Sequence, residues 1–216
     1  MIESGRLTIT GWVHQQLENY VNRAECCVDA TAGKGNDTLF LCRNMKPGGK
    51  VFAFDIQKTA LDAAGELLCR NGFVPDDCAV NAFARNACPI KDFLSDYGKV
   101  RLIMDGHEHM DRYLMPESVD VMMFNLGYLP GGDHKLSTRA ETTIIAIQKG
   151  LTLLKAGGVM SVCIYSGGDS GFAERDAVLP YLEGLDAKKY TVIVSRFSNK
   201  PNHPPIPVLI RKSEGF

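Results

Sequence analysis

The stretch Asp29-Ala30-Thr31-Ala32-Gly33-Lys34-Gly35-Asn36-Asp37-Thr38 decides the fold. It joins a short apolar run at 26–30 to a helical pattern that begins near Asp37. Gly33 and Gly35 stand at G-x-G spacing. Glycine has no Cβ and tolerates positive φ, so such a loop lets a ligand approach the backbone closely. A second apolar run, 50–55, ends on Asp55, twenty residues after Gly35. That spacing suits a carboxylate that accepts hydrogen bonds from ribose hydroxyls. Strand, glycine turn, helix, strand and terminal Asp together point to a nucleoside-bearing ligand.

Outward from this unit the chain alternates. Apolar runs at 101–104, 119–125, 158–165, 190–197 and 207–211 read as strands buried on both faces. Helical patterns fit at 11–22, 37–44, 58–70, 137–154 and 172–184. Gly48-Gly49 and Gly157-Gly158 follow helices, where they read as C-caps. The alternation predicts an α/β fold with a mainly parallel, seven-stranded sheet in a single Rossmann-like domain spanning 1–216. The last two runs are joined by 198–205, with three prolines and no helix, and read as an antiparallel hairpin. A parallel sheet closed by such a hairpin is the layout of class I methyltransferases. Segment 72–98 holds a weak apolar run at 79–84 and a short helical pattern at 91–97, and fits neither series.

Two details favour S-adenosylmethionine over a dinucleotide. Thr38 stands where a dinucleotide fingerprint wants a third small residue. Asn36-Asp37 puts a carboxylate at the helix start, where it repels a pyrophosphate and suits an ammonium group. Composition sets the remaining bounds. The 216 residues carry a net charge of -1, so a nucleic-acid partner needs a local basic patch. Lys188, Lys189, Arg196, Lys200, Arg211 and Lys212, near the final hairpin, are the candidates. The seven cysteines include no C-x-x-C pair and read as reduced core thiols. No stretch reaches about 18 apolar residues and no leader is evident, so a soluble, cytoplasmic protein without membrane contact is expected.

The run at 119–125 ends in Asn125-Leu126-Gly127-Tyr128-Leu129-Pro130-Gly131-Gly132. Ligands of open α/β sheets bind at the carboxyl ends of strands. A nitrogen nucleophile must aim its lone pair at the methyl. The Asn125 side-chain oxygen and the Leu126 carbonyl can accept the amine hydrogens, and Tyr128 can stack on a base. Asp105-Gly106-His107 follows another run, beside the expected adenine or amino-acid moiety, and His107 can titrate near neutrality. No metal is expected: His107 and His109 stand two apart and do not face one ion on a helix.

These residues resemble the bacterial tRNA 5-aminomethyl-2-thiouridine methyltransferases, earlier labelled rRNA methylases. The resemblance rests on 29–33 with Gly35 and Asp37-Thr38, Phe54-Asp55-Ile56-Gln57, His107-Glu108, 124–132, Pro204-Pro205, and His14 in the first helix. It implies methylation of the exocyclic amine of a wobble uridine to 5-methylaminomethyl-2-thiouridine, with tRNA as partner. S-adenosylmethionine would be the donor and S-adenosylhomocysteine the product. Asn125, Tyr128 and His107 are the catalytic candidates. Asp29, Thr31, Gly33, Gly35, Asn36, Asp37, Thr38, Asp55, Gln57, Asp105, Gly106, His107, Asn125 and Gly127 are the cofactor candidates. Lys34 and Gly168 depart from the family pattern, which tends to Asn and His there, and 72–98 is longer than the family's connection, so the resemblance implies an insertion. The alternatives are a methyltransferase of another RNA or a small amine, and a nicotinamide oxidoreductase. A homodimer is compatible with all of them.

Overall fold

The computed structural model describes residues 7–76, 99–127, 138–166 and 168–215. The strands are β1 (Cys26–Asp29), β2 (Lys50–Phe54), β3 (Lys99–Ile103), β4 (Val119–Leu126), β5 (Leu154–Ile164), β6 (Tyr190–Val194) and β7 (Ile206–Lys212). The helices are α1 (Ile9–Val21), α2 (Asn36–Asn44), α3 (Lys58–Arg70), α4 (Ala140–Leu153) and α5 (Gly168–Glu183), with a short 3-10 helix at His107–Arg112. One sheet runs in the order β3-β2-β1-β4-β5-β7-β6. The first five strands are parallel, and β7 lies antiparallel between β5 and β6. The α/β architecture and the closing hairpin are thus as the sequence predicts, with α3 over the expected residues.

β4 shows why these strands read as continuous apolar runs. Val121 and Met123 pack with α1, α2 and α3, while Met122, Phe124 and Leu126 pack with α4 and α5 on the other face. Both faces are covered, so the period-two alternation of polarity disappears. Asn125 follows in the same alternation and therefore belongs to the face of α1 and α2. Asp120 pins the opposite end of the sheet. Its carboxylate accepts from Glu25 N at 2.9 Å and Cys26 N at 3.0 Å, and pairs with Lys155 at 2.8 Å.

One expectation needs correction. Gly157 and Gly158 do not cap a helix, because α4 ends at Leu153 and β5 begins at Leu154. Val119 pairs with Leu154 but Val121 pairs with Val159, so β5 bulges between them. Gly157 sits there at φ 76, and a Cβ on Gly158 would lie 3.0 Å from the Lys155 carbonyl and 3.1 Å from that of Asp120. The glycine pair marks a strand irregularity rather than a helix end.

Most of segment 72–98 lies outside the described residues. At its described start Phe73 is buried and Pro75 bridges to Val100. Cys27, Cys42 and Cys163 are buried free thiols, and burial raises Cys42 and Cys163 each to about 12. Among the described residues no helix is long and apolar enough to cross a membrane.

Candidate active site

The loop between β1 and α2 is built on two turns and two carboxylates. Gly33 and Gly35 adopt φ 50 and 84. Gly35 N donates to the Ala32 carbonyl at 2.8 Å, closing the turn. A Cβ on Gly35 would stand 2.8 Å from both Cα and Cβ of Ala64, so glycine here also lets α2 start hard against α3. Asp55 reaches across from the end of β2. Its Oδ2 accepts from Gly33 N at 2.9 Å and its Oδ1 from Gln57 N at 2.8 Å. Asp29 is fully buried. It accepts from Thr31 N at 3.2 Å and from the Thr38 hydroxyl at 2.6 Å. Burial, reinforced by the charge of Asp37, pushes the Asp29 carboxyl up to about 7.

The end of β4 docks onto this loop. Asn125 N donates to Thr31 Oγ1 at 2.7 Å, and Asn125 Nδ2 donates to Asp37 Oδ2 at 2.5 Å. The other oxygen of Asp37 lies 2.8 Å from His14 Nε2. The His14 ring stacks on Phe40 with centroids 3.8 Å apart. One chain of contacts therefore runs from α1 through α2 to β4. Sequence spacing assigns Asp37 to the cofactor and gives His14 no chemical task. The pairing joins residues 23 and 88 positions apart, which no local spacing signals. The Leu126 carbonyl, expected to accept from the amine, already accepts from Tyr165 N at 3.3 Å.

The next group of candidate residues follows the carboxyl ends of β2 and β3. Ile56 and Met104, just past these strands, are 61% and 64% exposed, which is unusual for large apolar side chains and leaves a greasy rim beside Asp55. Asp105 turns inward on its own segment. Its Oδ1 accepts from Gly106 N at 2.8 Å and lies 2.7 Å from His109 Nδ1, and its Oδ2 accepts from the Tyr113 hydroxyl at 3.0 Å. The His109 contact is the main reason its carboxyl stays below the usual range. His107 is buried, hydrogen-bonded to the Ala30 backbone and tilted against Phe124 at 5.8 Å. Burial lowers its pKa and favours the neutral ring. His107 thus lies against the strand that carries Asp29.

Tyr128 lies outside the described residues, but the flanks of its segment are tied together. Gly127 N donates to Thr138 Oγ1 at 2.8 Å, and Thr138 N donates to the Gly127 carbonyl at 3.0 Å. The Thr138 and Thr143 hydroxyls donate to buried Glu174 at 2.6 and 2.7 Å. Burial raises the Glu174 carboxyl despite these two donors.

The expected basic patch does not form as one surface. Tyr190 pairs with Lys212 and Val159 with Arg211, so Lys188, Lys189, Arg211 and Lys212 sit at the amino end of the parallel strands, away from Asn125. Ile164 pairs with Ile206, which puts Arg196 and Lys200 at the carboxyl end with the site. Lys212 spends its ammonium on the Leu154 carbonyl at 2.7 Å, and Arg211 pairs with Glu214. The reason is antiparallel register: neighbours in sequence at a hairpin's tip and base lie at opposite ends of the sheet.

Comparison with known proteins agrees with this geometry. A solved rRNA-methylase of Clostridium thermocellum, itself described as putative, is 42% identical, covers 95% of this chain and 100% of its own, and superposes with TM-score 0.78. A Streptococcus mutans protein described as "a putative methyltransferase", in complex with SAH, is 33% identical over 96% of this chain and 99% of its own, with TM-score 0.76. An Arabidopsis thaliana protein named tRNA (mnm(5)s(2)U34)-methyltransferase, chloroplastic, is 30% identical over 96% of this chain and 71% of its own length. The fold is the Rossmann-like α/β fold of the class I methyltransferases. The family model described as "Putative rRNA methylase" matches residues 51–211, most of the chain, and the protein is a member of that family.

Proposed function

We propose that the protein transfers a methyl group from S-adenosylmethionine to the exocyclic amine of 5-aminomethyl-2-thiouridine at the wobble position of tRNA. The reading rests on the relative named for that uridine and on the amine-directed geometry of Asn125. The residues present fit the cofactor. Asp55 can accept further hydrogen bonds, because a carboxylate offers about four acceptor sites and only two are used. Ile56 and Met104 offer the apolar surface an adenine needs. We assign Thr31, Gly33, Gly35, Asn36 and Gln57 to the approach between them. Asp29 and Thr38, buried beneath, hold the loop that carries these residues.

When bound, the cofactor supplies an electrophilic methyl group on a sulfonium. The protein's part is positioning and exclusion of water. Asn125 is held at two points, so its Oδ1 is left to accept an amine hydrogen and aim the nitrogen lone pair. Burial away from water favours the neutral, nucleophilic amine over its ammonium form. Asn125 would hold the amine toward the methyl that the bound cofactor supplies, and the proton the amine gives up would pass to water.

The observation that carries the reading is the double anchoring of Asn125 by Thr31 and Asp37. In Asn125→Ala, affinity for S-adenosylhomocysteine should persist while turnover falls at least about 100-fold. Retained turnover refutes the role. Nucleoside mass spectrometry of tRNA from a deletion strain should show accumulated aminomethyl-thiouridine, and an unchanged profile refutes the substrate.

A further inference from the structure

We propose that His14 and Asp37 are positioning residues that decide which way the Asn125 carboxamide faces. The inference rests on the reading of Asn125 as the group that orients the substrate amine. An amide has one accepting end and one donating end, and rotation by half a turn exchanges them at almost no steric cost. Only the accepting end can take an amine hydrogen. Something must therefore hold the donating end away from the substrate.

Asp37 does this by chemistry. An ionised carboxylate accepts hydrogen bonds and donates none, so only Nδ2 of Asn125 can face it. The contact is 2.5 Å, and Asp37 is buried. The backbone of Asn125 is fixed separately through Thr31 Oγ1 at 2.7 Å, so the amide pivots on a fixed stem. Asp37 itself needs a partner on its other oxygen, and His14 Nε2 supplies it at 2.8 Å.

His14 is in turn held by packing. Its ring lies parallel to Phe40 within 2°. α1 is fixed around it by the edge contact of Trp12 with Phe197 at 5.8 Å, by Lys200 Nζ on the Leu7 carbonyl at 2.9 Å, and by the bond between the Thr10 and Tyr165 side chains. The first helix, which precedes the cofactor loop and lies before the residues matched by the family model, thus reaches the reacting end of β4.

The test is a double-mutant cycle with Asn125. His14→Phe keeps a ring against Phe40 but removes the hydrogen bond. His14→Gln keeps a donor at the reach of Nε2. His14→Leu serves if the aromatic variant does not fold. Each is assayed for kcat and KM on aminomethylated tRNA and for affinity to S-adenosylhomocysteine by calorimetry. The expected result for His14→Phe is a kcat about tenfold lower, the size of one lost hydrogen bond. KM and S-adenosylhomocysteine affinity should stay within about twofold, since the chain acts on orientation and not on occupancy. His14→Gln should recover most of the rate. On the Asn125→Ala background, His14→Phe should add less than about twofold, because the group it orients is gone.

A full tenfold loss on that background overturns the inference, as does an unchanged kcat in His14→Phe. A loss of S-adenosylhomocysteine affinity that matches the loss of rate also overturns it, by assigning Asp37 to the cofactor. If Asn125→Ala alone keeps wild-type turnover, the reading of Asn125 fails and the inference with it. A slow Asn125→Ala beside an unaffected His14→Phe overturns the inference alone.

Discussion

Replacing Gly35 by alanine should separate two demands that glycine meets at one position. The first is conformational. Gly35 sits at φ 84, and an L-residue in the left-handed region costs about 1–2 kcal/mol. The second is steric. The added Cβ meets Cα and Cβ of Ala64 at 2.8 Å, and one of those atoms is backbone that no rotamer change relieves. Overpacking of this kind costs about 1–3 kcal/mol. Gly35→Ala should therefore lose about 2–5 kcal/mol. Gly48 is the internal control: it sits at φ 79, and a Cβ added there would meet nothing within 4 Å. Gly48→Ala should lose only the conformational part, about 1–2 kcal/mol. Urea denaturation of both variants measures the difference. Calorimetry with S-adenosylhomocysteine then asks whether α2 has been pushed off α3. Affinity should fall at least about tenfold in Gly35→Ala, from a loop shift worth about 1.4 kcal/mol, and stay unchanged in Gly48→Ala. Equal losses of stability in the two variants would refute the packing argument. Unchanged affinity in Gly35→Ala would refute the link between this contact and the cofactor loop.

Three further outcomes follow from the site. Asp29 holds its proton in the folded state up to about 7, whereas the unfolded chain releases it near pH 4. Its ionisation therefore removes stability as pH rises from about 4 through 7, so the stability of Asp29→Asn relative to wild type should grow between pH 5 and pH 8, and a constant or shrinking difference in urea midpoint contradicts this. Thr138→Val strands the Gly127 amide and one oxygen of Glu174, so it should cost about 1–3 kcal/mol and speed hydrogen exchange at Gly127; unchanged exchange would show that the clamp is idle. Ile56→Ser should weaken S-adenosylhomocysteine about 5- to 10-fold by removing apolar contact worth about 1 kcal/mol, and an unaltered calorimetric affinity argues against an adenine on this rim.

The sheet is legible in the sequence because its strands are buried on both faces and its helices are long enough to show a period. α3, with Ala60, Leu61, Ala64 and Leu68 on one side, matches its expected bounds. The glycine loop and Asp55 are legible because the contacts join an adjacent strand pair at a fixed spacing. What escapes depends on contacts far apart in sequence. His14 and Asn125 meet at Asp37 only because α1 crosses β4, and no periodicity reports a crossing. The bulge at Gly157 reads as a cap since both need a positive φ. The basic residues near the hairpin look like one patch until register divides them between the two ends of the sheet.

The position of β7 has a consequence for how the chain assembles. β6 is made before β7, yet among the described residues its partner in the sheet is β7 alone. During synthesis β6 has no neighbour to pair with, and its Ile193 remains 53% exposed even in the finished fold. An unpaired apolar strand is an invitation to the strands of other nascent chains. Lys188 and Lys189, exposed immediately before it, stand where charged gatekeepers blunt such encounters. The lysines that do not face the carboxyl end of the parallel strands thus find their use in the interval before the sheet exists.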